Sequence, residues 1–325
     1  MTSTVGSTSS RRRGAVLLVV SMGWLAVARG LGDLLVGALP PAVVRQLGRH
    51  GYYSVVLVLT TALGLAAVCA THRASWRAAL GLASGQARGA AVGVLIAPTV
   101  IALATYLGFT LALPTLLEEL QRGGVAEANR NTGGYGRALV ESALPLTLLW
   151  GLVLAPIAEE LLFRGAMWTA LTRLTAPRGV PSPPSLDPSF VSDTWLRRGA
   201  RWVYAEARDG GVATLITAAV FAALHADQPG GAGIVRVVQA AGLGLALGIA
   251  RHASGGVAAP IALHATFNLL SLARLRRWLP STFWPSPLPV PVTYWQLAGA
   301  GLAILSVATV ARRVRERGRT RRPTP

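Results

Sequence analysis

The chain has 325 residues, is 52% hydrophobic with a mean hydropathy of +0.48, and carries a formal net charge of +18. Several of its apolar runs are long enough to cross a bilayer, which excludes an ordinary soluble fold of two or three domains. Every basic residue is arginine, and these arginines gather at the ends of apolar runs, so the charge reads as topology signalling and argues against a nucleic-acid partner.

In chain order, residues 1–13 form a Ser/Thr-rich lead ending in Arg11, Arg12 and Arg13, predicted to be disordered. The apolar stretch from Gly14 to about Leu39 predicts a first span. A secretory signal peptide is the alternative, with Ala26-Val27-Ala28 as its small-residue cleavage site. Arg29 and Asp33, four residues apart, suggest one continuing helix closed by an ion pair. Further spans are predicted at about Tyr52–Ala70, Gly89–Leu113, Ala138–Pro156, Val212–Ala226, Gly233–Ala250, Gly256–Leu272 and Thr293–Ala311. The expected fold is therefore all-α: a polytopic transmembrane bundle of about eight spans with its active site in an intramembrane cavity. The single cysteine, Cys69, lies in an apolar run and reads as a packing residue.

The chain divides into a basic lead (1–13), N-terminal spans (14–137), a membrane core (138–275) and a last span with an Arg-rich tail (276–325). Within the core, 175–211 is a Pro/Arg-rich insertion, whose second half predicts a helix lying in the membrane interface. Gly244 and Gly248 are spaced to let a neighbouring helix approach closely. Arginine counts place both termini on the cytoplasmic side of the cell membrane, against the exception of Arg274, Arg276 and Arg277.

The polar residues inside apolar runs are the informative ones. Glu159, Glu160 and Arg164 lie in AEELLFRG, His225 ends TAAVFAALHAD, and His264 and Asn268 lie within PIALHATFNLL. Unpaired at the bilayer centre, three charges would cost on the order of 8–10 kcal/mol. Glu160 and Arg164 are four apart and can pair on one helix face. Glu159 points about 100° away from Glu160 and is left to face something else. His264 and Asn268 share a face. A carboxylate can take a proton from water, a histidine can share that water, and a second histidine with an amide can stabilise an oxyanion, a set sufficient for amide hydrolysis. Glu159, His225 and His264 could instead hold one zinc ion. No HExxH or G-x-S-x-G pattern is present.

The three elements, Glu159-Glu160…Arg164, Phe221…His225 and His264…Asn268, in that order on successive membrane segments, resemble the CAAX prenyl endopeptidase / bacteriocin-processing (CPBP) intramembrane protease family. The resemblance covers roughly residues 140–275. It implies an intramembrane endopeptidase in which Glu159 and His225 activate the hydrolytic water and His264 and Asn268 form the oxyanion hole. Glu160 and Arg164 would orient the site or engage substrate. It implies a peptide or membrane-protein substrate within the lipid bilayer, with no cofactor required, or one zinc ion in a metal-dependent version. A proton-coupled transporter and a non-catalytic scaffold are the competing readings.

Overall fold

In the computed structural model, the described residues are 4–38, 40–82, most of 89–121, 143–175, 210–226, 230–276 and 278. Among them every regular element is helical. We label them α1 (Thr4–Ala38), α2 (Pro41–Thr71), α3 (Trp76–Ala79), α4 (Gly89–Thr115), α5 (Leu144–Thr175), α6 (Val212–Ala223), α7 (Gly230–Ser254) and α8 (Ala258–Leu275).

Five stretches are long and apolar enough to cross a membrane: Ser9–Leu31, Gly51–Thr71, Gly89–Thr115, Leu144–Thr175 and Gly230–Ser254. Two of the predicted spans correspond to shorter apolar helices, Val212–Ala223 and Ala258–Ala273. The predicted span Thr293–Ala311, the Arg-rich tail and nearly all of the 175–211 insertion lie outside the described residues. The protein is thus an integral membrane protein whose described residues are helical, with five spans among them; the expected count of eight includes one span that lies outside them. The first helix starts at Thr4, ahead of the arginines, in a lead read as disordered. It runs unbroken through Ala26-Val27-Ala28.

The bundle is held by close backbone approach. Gly244 and Gly248 of α7 lie against Ala218 and Thr214 of α6, and a Cβ on Gly244 would sit 3.0 Å from the Ala218 Cα. The close approach expected for this glycine pair is therefore made, with α6 as the neighbour. On α4, Gly89 and Gly93 meet Ala259 and Leu263 of α8, so the α8 backbone is seated one turn before His264. Large apolar side chains such as Leu95, Leu215 and Val19 are exposed on the outer surface, as lipid contact requires. Buried hydroxyls turn back on their own helices: Ser21 to the Leu17 carbonyl (2.7 Å), Thr60 to Val56 (2.8 Å) and Thr217 to Ala213 (2.8 Å).

Just beyond the α2 span, buried His72 ties α2 to α1. Its Nε2–H donates to the Arg13 carbonyl (3.3 Å), and its Nδ1 faces the Thr71 hydroxyl (3.0 Å). Burial holds the ring below the ordinary histidine range, the Arg173 and Arg13 cations push the same way, and the Arg13 carbonyl opposes them. The unfolded chain therefore binds this proton at a higher pH than the folded one. The contribution is complete above about pH 6.5 and is lost as pH falls through that value toward the folded pKa. Thermal unfolding in detergent should show a decline in Tm below about pH 6.5 that His72→Gln removes. An identical decline in the variant would assign it elsewhere.

Candidate active site

The site is built on α5, which is continuous from Leu144 to Thr175 although the sequence predicted a span ending at Pro156. Residues 144–158 precede the carboxylate pair and 161–175 follow it, fifteen on each side, so Glu159 and Glu160 are the central residues of this helix. Two wide π turns, Leu149–Leu154 and Leu161–Met167, flank them. Such turns are rare and concentrate at functional sites.

The first π turn explains how α5 tolerates Pro156. The Ala155 N–H bonds to the Trp150 carbonyl, five residues back. In that register the next donor would serve Gly151, but proline has no N–H. The Gly151 carbonyl instead accepts from Asn268 Nδ2 of α8 at 2.7 Å. A backbone group orphaned by the proline is thereby satisfied by a site residue. In the second π turn, the Arg164 carbonyl accepts from Arg251 Nε of α7 at 2.8 Å. Pro156→Ala would return the missing donor to Gly151 and compete with Asn268. We expect that variant to fold as well as the parent while peptide cleavage falls about tenfold through misplacement of Asn268. Cleavage at the parental rate would show that the anchor is dispensable.

At the centre lies a fully buried charge network. Glu160 and Arg164 have no solvent exposure and pair at 3.3 Å, as their i,i+4 spacing predicts. The same oxygen, Glu160 Oε1, accepts from His264 Nδ1 of α8 at 2.8 Å. This bond joins two residues to which the sequence reading gave separate roles. Arg164 also donates from Nη2 to the Gly244 carbonyl of α7 at 3.0 Å. Because His264 Nδ1 is committed to the carboxylate, Nε2 is the ring atom left to meet a substrate.

His225 stands in the turn after α6. Its Nδ1–H donates to the Phe221 carbonyl at 2.7 Å, which leaves Nε2 of the neutral ring as an acceptor. The Phe221 ring is the common wall: 4.5 Å from the His225 ring, 5.8 Å from the His264 ring, and 4.8 Å from the Arg164 guanidinium carbon (centroid distances). Arg29 of α1 donates to the Leu224 carbonyl at 3.1 Å, placing a cation at the C-terminal end of α6 beside His225. Arg29 was expected to pair with Asp33; the Asp33 side chain lies outside the described residues.

Glu159 is half-buried, and no ion pair to Arg164 or His264 engages it as one engages Glu160 Oε1. Its Oε2, like Glu160 Oε2, is buried with no hydrogen-bond partner among the described residues. No hydrogen bond joins it to His225. Among the described residues, no three His, Cys, Asp or Glu side chains gather closely enough to hold a metal ion.

Arg251, Phe221 and Gly151 are the members of the site that sequence reasoning did not assign. Phe221 was visible as the start of the Phe-x-x-x-His element. Arg251 and Gly151 act through backbone groups freed by π turns, for which the sequence carries no direct signal.

Residues 141–270 match the family model of the type II CAAX prenyl endopeptidases, Rce1-like. The matched segment contains every site residue from Glu159 to Asn268 and supports placing the membrane core in the CAAX prenyl endopeptidase / bacteriocin-processing family. No curated protein and no solved structure matches the chain.

Proposed function

We propose that this Rce1-like protein is an intramembrane endopeptidase that cuts a membrane-associated peptide through water activated by Glu159 and His225. The observation that carries the reading is the unpartnered Glu159 Oε2, buried at the middle of a membrane-spanning helix beside the Glu160–Arg164–His264 network, in which Glu160 Oε2 and Arg164 Nε also lack partners among the described residues. A neutral polar group buried without a hydrogen bond costs about 2–7 kcal/mol by transfer scales and an ionised one more, so this oxygen needs a partner that arrives with the reaction. Water is the natural one.

In the proposed reaction Glu159 takes a proton from water, and His225 Nε2 accepts that water's other hydrogen as a hydrogen bond. The water oxygen attacks the peptide carbonyl carbon. The charge that develops on the carbonyl oxygen is met by His264 Nε2–H, with Glu160 behind Nδ1 stabilising the charged ring. The second N–H of the Asn268 amide is the other donor, its partner N–H being held on Gly151. The proton taken by Glu159 passes to the leaving nitrogen as the C–N bond breaks. Arg164 compensates the Glu160 charge and fixes its position.

The test is hydrolysis of lipid-anchored peptides by the purified protein in liposomes made in 18O-labelled water. One label should enter the new carboxyl terminus, on the N-terminal fragment alone, in the first turnover. Absence of cleavage across a broad set of lipid-anchored and transmembrane peptides would move the scaffold and transporter readings ahead.

A further inference from the structure

We propose that the recess where α1, α2 and α5 end at the membrane boundary binds a phosphate group, presented by an anionic phospholipid. The recess encloses about 310 Å³ and is lined by Ser9, Arg12, Arg13 and Val16 of α1 with Thr71 and His72 at the end of α2. Its level in the membrane follows from the apolar spans. One begins at Ser9, one ends at Thr71 and one ends at Thr175, so three span termini meet at one surface, the depth at which headgroup phosphates lie.

The charge at this place is uniformly positive. Arg173, near the end of α5, lies close enough to Arg13 and His72 for their charges to act on one another. It packs directly on α1: a Cβ on Gly14 would sit 2.9 Å from the Arg173 Cβ. Arg173 Nη1 is buried and makes no hydrogen bond. No acidic side chain lines the recess. Arg12 and Arg13 line the recess and Arg173 acts on Arg13 from beside it; an anion would relieve the repulsion between them, and guanidinium forks match phosphate oxygens. The Ser9 hydroxyl adds a neutral donor. The His72 ring donates to the Arg13 carbonyl and so holds the backbone that carries two of the arginines. Val16, on the membrane side, suits the glycerol and acyl portion of a lipid better than a free ion.

The experiment uses the delipidated full-length protein in an uncharged detergent. Native mass spectrometry and thermal unfolding follow titration with phosphatidylglycerol, phosphatidylcholine or inorganic phosphate. Phosphatidylglycerol should bind and raise Tm, phosphatidylcholine should do so much less, and inorganic phosphate should not displace the lipid. Arg13→Gln with Arg173→Gln should weaken phosphatidylglycerol binding roughly twenty-five-fold, near fivefold for each arginine removed. Should that variant not fold, Arg12→Gln with Arg13→Gln provides the same test, since both side chains are exposed at the chain start. Arg77→Gln, outside the recess, should leave binding unchanged. Equal affinity for phosphatidylcholine, or unchanged affinity in both double variants, overturns the proposal. Full displacement by inorganic phosphate overturns the lipid as its source.

Discussion

Glu159→Gln should remain folded and lose about 10²–10⁴-fold of peptide cleavage, the range expected when a positioned proton acceptor is removed. The substitution keeps shape and volume, and the carboxylate oxygen it neutralises has no hydrogen bond to lose. Removing the charge of a half-buried carboxylate whose Oε2 has no hydrogen-bond partner should, if anything, raise stability. Activity and stability are thus expected to move in opposite directions, a signature a structural glutamate does not give. The check is a cleavage rate measured beside a thermal unfolding curve on the same preparation. A variant that cleaves at the parental rate would remove Glu159 from the chemistry. One that is inactive because it is unfolded would mean the residue is held by contacts beyond those seen here.

The second large effect belongs to Arg164. Arg164→Ala should destabilise the protein by about 3–5 kcal/mol, because it leaves Glu160 buried beside no cation. It also deprives the Gly244 carbonyl of its donor and vacates space against the Phe163 and Phe221 rings. Arg164→Lys should recover only part of this, since a single ammonium cannot reproduce the planar fork that reaches Glu160 and Gly244 together. Neutralising both partners, Glu160→Gln with Arg164→Met, should restore much of the stability and none of the activity, because His264 Nδ1 then loses its carboxylate. Unfolding measured in detergent for the single and double variants reads this directly. Equal stability of Arg164→Ala and the parent would show that water or lipid already compensates Glu160.

The sequence made a good part of this legible, for reasons that lie in periodicity. Glu160 and Arg164 pair because they are one turn apart, and Gly244 and Gly248 accept a neighbour because they share a face. The six polar residues stand out because apolar surroundings make each one costly. What could not be read was which helix each would meet. His264 was spaced with Asn268, but nothing in that spacing points it to Glu160, 104 positions away. Pro156 looked like a helix end because proline breaks an α-helical ladder. The π turn and the amide of Asn268 absorb that break, and both depend on tertiary packing. The short helix α6 read as a span because its composition is apolar throughout, while its 12 residues rise only about 18 Å against a hydrocarbon core of ~30 Å.

The central claim is that the side chains of this buried site hydrolyse peptide bonds themselves. Its most direct test is the cleavage of one lipid-anchored peptide by the parent protein and by His264→Ala, both in liposomes and both treated with a strong chelator. The account predicts that the chelated parent keeps its full rate while folded His264→Ala falls by about 10²–10³-fold, the cost of one oxyanion donor. Equal rates would contradict the assignment of the site, and a parent silenced by chelator and revived by zinc would contradict the metal-independent mechanism.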